Sequence, residues 1–169
     1  MSYRKFLIIS PMVALGLFMS QGARGADTYK GSSQDLTFVS EAAKAGMMEV
    51  HMGQVGAQRG SSTEIKSFSQ KMIDDHTKAN NELMALAKRK GIALPPASAS
   101  SMASPLSGKT GAAFDNAFAK QAVADHQKAV ALFQQEAKSG ADPDLKAWAS
   151  STLPTLQSHL DAAKALPSK

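Results

Sequence analysis

Glu49, His76, His126 and His159 are the residues of this 169-residue chain whose types and spacing could do joint chemistry. Each stands near the centre of an otherwise apolar helical stripe, on four successive segments of helical periodicity. At about 100° per residue, Phe38, Ala42, Ala45, Gly53 and Gly56 fall within about 40° of Glu49. Ile65, Met72 and Leu83 flank His76; Ala119, Ala122, Val130 and Phe133 flank His126; Trp148, Thr152, Ala163 and Leu166 flank His159. An ionisable group in the middle of a buried face is costly unless it is paired. One on every stripe therefore points to a shared interior site. Counted from the hairpin turns, Glu49 and His76 come within about 5 Å of the same level, and His126 and His159 match comparably.

Three imidazoles and a carboxylate converging in a dry core suit one divalent ion: zinc, iron, manganese or copper. A hydrogen-bonded polar cluster that pins the register, with a buried water, fits the same four residues, and their spacing leaves both readings open. Asp75 and Asp125 each precede a histidine and lie about 100° around the helix from it. They can serve as outer partners to an imidazole on a neighbouring helix, or as boundary acids near Lys78 and Lys128. A rival reading uses Met48, His51 and Met52, which share a helix edge at i, i+3 and i+4 and offer ligands suited to copper(I). His51 points about 160° away from Glu49, so that would be a surface site.

The elements that must position these residues are all helical, which makes the expected fold class all-α. Helix one is predicted over about 34–58 and helix two from a Ser61/Glu64 capping box to about Lys90, with Gly91 closing it. Helix three is predicted over about 112–138. Asp142-Pro143-Asp144 then supplies an N-cap, a proline at N1 and a first-turn acid for helix four. Pro154 lies inside helix four and should kink or interrupt it. Between Gly91 and Gly111 the composition turns to Pro, Ser, Ala and Gly, a linker of about 60 Å when extended. Two short hairpins joined by this connection make a four-helix bundle with either a crossover or a simple up-down-up-down course.

The ends and composition bound the rest. Arg4 and Lys5 precede an apolar run from Phe6 to Met19, and Ala23-Arg24-Gly25 suits cleavage before Ala26, so residues 1–25 read as a secretory signal peptide. Residues 26–33 are then a flexible mature N-terminus and 34–166 the bundle domain. Cleavage removes three basic residues and no acid from a chain of formal charge +5, which weakens any case for nucleic acid. Lys88-Arg89-Lys90 reads as a solvated helix terminus that favours the dipole. With no cysteine, thiolate metal sites and redox dithiols are excluded, and no segment after residue 25 is long and apolar enough to span a bilayer.

Phe38-Val39 through Glu49-Val50, the run Lys71-Met72-Ile73-Asp74-Asp75-His76-Thr77-Lys78-Ala79-Asn80-Asn81-Glu82-Leu83, Ala124 to Val130 and Leu153 to Leu160 together resemble the bacterial domain-of-unknown-function family 4142. The resemblance covers nearly all of the chain after residue 25. It implies an exported protein, periplasmic or associated with the outer membrane, with a ferritin-like bundle and hence the crossover, but no established activity. Ferritin-like di-iron sites use inward carboxylates on each helix pair and two Glu-x-x-His motifs. Here Ile73 and Leu156 stand three residues before His76 and His159, so a mononuclear or vestigial site is expected rather than a di-iron centre. The expected function is a non-enzymatic binding or stress-related role in the cell envelope. A mononuclear metal enzyme using the same core residues, or an interaction module offering the linker to an envelope protein, are the alternatives.

Overall fold

The computed structural model describes residues 29, 31–96 and 106–167; the expected signal peptide and the middle of the linker lie outside them. The described residues form four helices, α1 (Ser33–Arg59), α2 (Thr63–Lys90), α3 (Gly111–Ser139) and α4 (Pro143–Lys164). Ser32 caps α1 in a capping box, its Oγ accepting from the Asp35 amide while Asp35 accepts from the Ser32 amide. Helix α2 starts one residue later than the Ser61/Glu64 spacing suggests. Ser62 is its N-cap, accepting from the Ile65 amide, because Ser61 is drawn instead to Asp115 on α3. Gly91 ends α2 in the left-handed region at φ 68°, where a side chain would be strained.

The helix ends fix the topology. At one end Gln34 on α1 donates to Glu136 and Ser139 on α3, and Lys90 on α2 bridges Asp142 and Asp144 at the start of α4. At the other end Asp115 of α3 holds the α1–α2 turn, and Arg59 donates to the carbonyls of Leu106 and Lys109. Helix α2 thus finishes at one end of the bundle and α3 begins at the opposite one. Helix α1 packs on α2 and α3, and α4 on α3 and α2, while the two diagonals barely touch. The connection between α2 and α3 is therefore a crossover, the arrangement of ferritin-like bundles. In an up-down-up-down bundle α2 and α3 would be neighbours.

Pro154 does not interrupt α4, which runs unbroken from Pro143 to Lys164. The proline is exposed, so the carbonyl it leaves without an amide partner faces solvent, where water can satisfy it.

The two hairpins are built alike, with equivalent positions 80 residues apart. Gly60 and Gly140 close α1 and α3 with nearly the same backbone, φ −55° and ψ 135° against φ −57° and ψ 145°. A Cβ on either would come within 2.7 Å (Gly60) or 2.8 Å (Gly140) of the carbonyl oxygen four residues earlier, hence glycine at both. Ser62 and Asp142 are the matching N-caps, Ile65 and Leu145 the first buried anchors, and Phe38 and Phe118 face the core from α1 and α3. Asp75-His76-Thr77-Lys78-Ala79 and Asp125-His126-Gln127-Lys128-Ala129 are alike in sequence, but this likeness joins α2 to α3 and belongs to no such equivalence.

The apolar interior falls into two clusters. One gathers Phe38, Val39, Leu83, Phe133 and Leu145 towards the α3–α4 turn; the other gathers Ile65, Met72, Phe114 and Phe118 towards the α1–α2 turn. Glu49, His76, His126 and His159 form the polar layer between them, each on its own helix.

Candidate metal centre

The polar layer holds three imidazoles in a nearly equilateral triangle. Ring centroids are 5.6 Å apart for His76–His126, 5.2 Å for His76–His159 and 5.3 Å for His126–His159. One ring nitrogen from each lies within 4.8 Å of those of the other two. His126 and His159 are fully sealed and His76 is 6% exposed. Phe68 closes the triangle on the α1–α2 side, its ring edge-on to His126 and His159.

Hydrogen bonding decides which nitrogens are free. His126 Nδ1 is 2.9 Å from the Ala122 carbonyl oxygen, which can only accept, so Nδ1 carries the proton and Nε2 a lone pair. His159 Nε2 is 2.8 Å from Asp75 Oδ2 and donates to it, leaving the lone pair on Nδ1. His126 Nε2, His159 Nδ1 and His76 Nε2 are all buried without a hydrogen-bond partner. A carbonyl or carboxylate taking one ring proton while the other nitrogen is left bare is the usual outer arrangement of a metal-bound histidine.

The electrostatics keep the imidazoles neutral, the form that ligates. Burial holds His76 down to about 3, with His159 and His126 adding to the effect. Burial lowers His126 to about 4 against the opposing Ala122 hydrogen bond. It also lowers His159, partly offset by Asp75. For Asp75 desolvation pulls upward, but hydrogen bonds from Lys71 and His159 win and leave it below its ordinary value.

Glu49 shares the layer but not the triangle. Its Oε1 lies 3.9 Å from His126 Nδ1, whose proton is already given to Ala122, and its Oε2 has no partner. Burial, then the nearby Asp125 charge, pushes its carboxyl up to about 8, so the His126–Glu49 approach joins two neutral groups and is not an ion pair. A cavity of about 30 Å³ bounded by Glu49, Asp75, His76 and His159 adjoins the layer, room for an ion or a water molecule.

Asp75 is in place behind His159. Asp125 is not behind an imidazole: it accepts from Gln121 at 2.6 Å and faces Lys128 at 3.9 Å. Met48, His51 and Met52 line a separate groove between α1 and α3. Glu136 is 1% exposed; Gln34 near the α1 N-terminus and the Gly140 turn cover it. Lys90 departs from a solvated terminus, its side chain only 16% exposed between two aspartates.

An all-α crossover bundle with a buried histidine triangle is the class that fold and layer define. The chain belongs to the domain of unknown function family DUF4142, whose profile matches residues 20–166. No curated protein sequence matches it significantly. The fold is similar to that of a DUF305 fragment from Deinococcus radiodurans (TM-score 0.68, 18% identity, 80% of this chain and 95% of that one). It is also similar to CopM in its Cu(I)-bound form (TM-score 0.66, 17% identity, 78% and 93%). A conserved hypothetical protein from Mycobacterium tuberculosis, rv2844, is similar too (TM-score 0.65, 13% identity, 79% and 97%).

Proposed function

We propose that this protein is an exported, non-enzymatic metal-binding bundle of the bacterial cell envelope, holding one divalent ion through His76, His126 and His159. The observation that carries the reading is three buried, partnerless imidazole nitrogens on three helices, two of them with the tautomer set by an outer hydrogen bond. A purely structural polar layer leaves these nitrogens as uncompensated costs; an ion turns them into bonds. Glu49 is the neighbouring oxygen donor once it gives up its proton, and Asp75 the outer partner of His159. Zinc and copper suit an imidazole-rich set best, and the likeness in fold to CopM, solved with copper bound, puts copper first among the ions to try. Binding rather than catalysis is favoured by space: a cavity of about 30 Å³ beside sealed imidazoles admits an ion, not a substrate. Export rests on the charged, then apolar, then small-residue order of residues 1–25, and no described helix is long and apolar enough to cross a membrane.

The test is metal content of the protein isolated from an envelope fraction, followed by loading with zinc and copper. One ion per chain and a higher melting temperature are expected, an excess of 100 times Kd being worth about 2.7 kcal/mol. A protein that neither carries nor takes up either ion, with unchanged melting, would refute the reading.

A further inference from the structure

A groove of about 660 Å³ runs between α1 and α3. Its α1 wall carries Met48, His51 and Met52, one helical turn of soft and borderline donors. Met48 is 40% exposed although most large apolar side chains here are buried, Met52 is 6% exposed, and His51 is open to solvent. The three therefore step from the surface into the groove. At i, i+3 and i+4 their side chains lie on one face, His51 and Met52 on either side of Met48.

The floor is also informative. Ala45, Glu49 and Ala129 line both this groove and the small cavity beside the histidine triangle. Glu49 is thus the one polar member of a thin partition, 5% exposed, with an oxygen that has no partner. Two thioethers and an imidazole make a donor set that hard cations do not favour and soft monovalent ones do.

We propose that Met48, His51 and Met52 form a second metal site, on the wall of the α1–α3 groove, selective for soft monovalent cations of the copper(I) and silver(I) class. It is separate from the buried triangle and does not depend on that triangle holding an ion. Its position places a captured cation one layer away from the imidazoles, with Glu49 between.

Silver(I), which undergoes no redox change, is the probe, titrated into the full chain labelled with ¹³C at the methionine methyls and assigned by single Met→Leu variants. The Met48 and Met52 methyls should shift together at one equivalent. Met84, 52% exposed on α2 and outside the groove, should not. The paired M48L/M52L variant should bind silver(I) at least about ten-fold more weakly, and His51→Ala should weaken it to a lesser degree while zinc uptake is unchanged. Persistence of the paired shift in a His126→Leu variant that takes up no zinc would support the groove site and locate any loss at the triangle alone. Methyls of Met48 and Met52 that stay fixed, or that move no more than Met84, would overturn the proposal.

Discussion

His126 commits its Nδ1 proton to the Ala122 carbonyl and points Nε2 at no hydrogen-bond donor, inside a layer sealed from water. That arrangement makes opposite demands on its two possible roles, which a substitution separates. Replacing an unsatisfied buried polar side chain by an apolar one of similar volume is often neutral or stabilising. His126→Leu should therefore melt at or above the metal-free wild type in calorimetry, yet take up no ion. A marked fall in melting temperature would mean that the imidazole is needed for the fold itself. Asp75→Ala leaves all three imidazoles in place and removes the acceptor behind His159 together with the exposed Lys71 ion pair. It should weaken metal affinity by about 10- to 100-fold in a competition titration; equal affinity would show that the Asp75 contact is incidental.

The helices are held in register by polar staples at both ends. Asp115 takes the Ser61 and Ser62 amides and the Ser61 hydroxyl at 2.7–3.0 Å. Asp35 takes the Ser32 and Ala141 amides, and desolvation notwithstanding, those bonds bring it down to about 2. Asp115→Ala strands two backbone amides at a partly buried turn and should cost about 2–4 kcal/mol in urea unfolding. Glu136 behaves differently, since burial, then the Asp35 and Asp142 charges, raise it from 4.5 to about 7 against a hydrogen bond from Gln34. Its folded value lies above its unfolded one, so its contribution to stability is whole below pH 4.5 and is lost as pH rises to about 7. Glu136→Gln should accordingly gain on the wild type between those pH values; parallel stability curves would contradict the buried, protonated carboxyl. These staples were hidden in the sequence because each depends on which helix end meets which. Ser32 and Asp35 carry a capping pattern, but nothing local says that Asp35 also reaches Ala141.

At the scale of the molecule, the central layer was legible because a polar residue centred on an apolar face is a periodic signal that survives without knowing the neighbours. All four such residues do lie in one layer; what periodicity could not give was that the histidines close into a triangle with Glu49 beside it. The crossover was equally out of reach of periodicity, which assigns faces and not partners; resemblance to the family supplied it. The doubling of the hairpin was missed because identity survives only at scattered positions such as Phe38/Phe118 and Gly60/Gly140, while others keep only their structural role, as the N-caps Ser62 and Asp142 illustrate. The layer breaks that doubling: the positions equivalent to Glu49, His76, His126 and His159 are Ala129, Leu156, Gly46 and Ala79. The crossover itself has a geometric test. Helix α2, 28 residues long, spans about 42 Å, and deleting residues 97–105 leaves a connection reaching only about 36–40 Å. Such a chain should exchange hairpins into a dimer, seen by light scattering; an unchanged, equally stable monomer would contradict the topology. X-ray absorption at the metal edge of the copper- or zinc-loaded protein reads the ligands of the bound ion directly. One ion per chain with three imidazole nitrogens in its first sphere, lost in His126→Leu, is the predicted result. An ion with no imidazole scattering, or one retained unchanged in that variant, would contradict it.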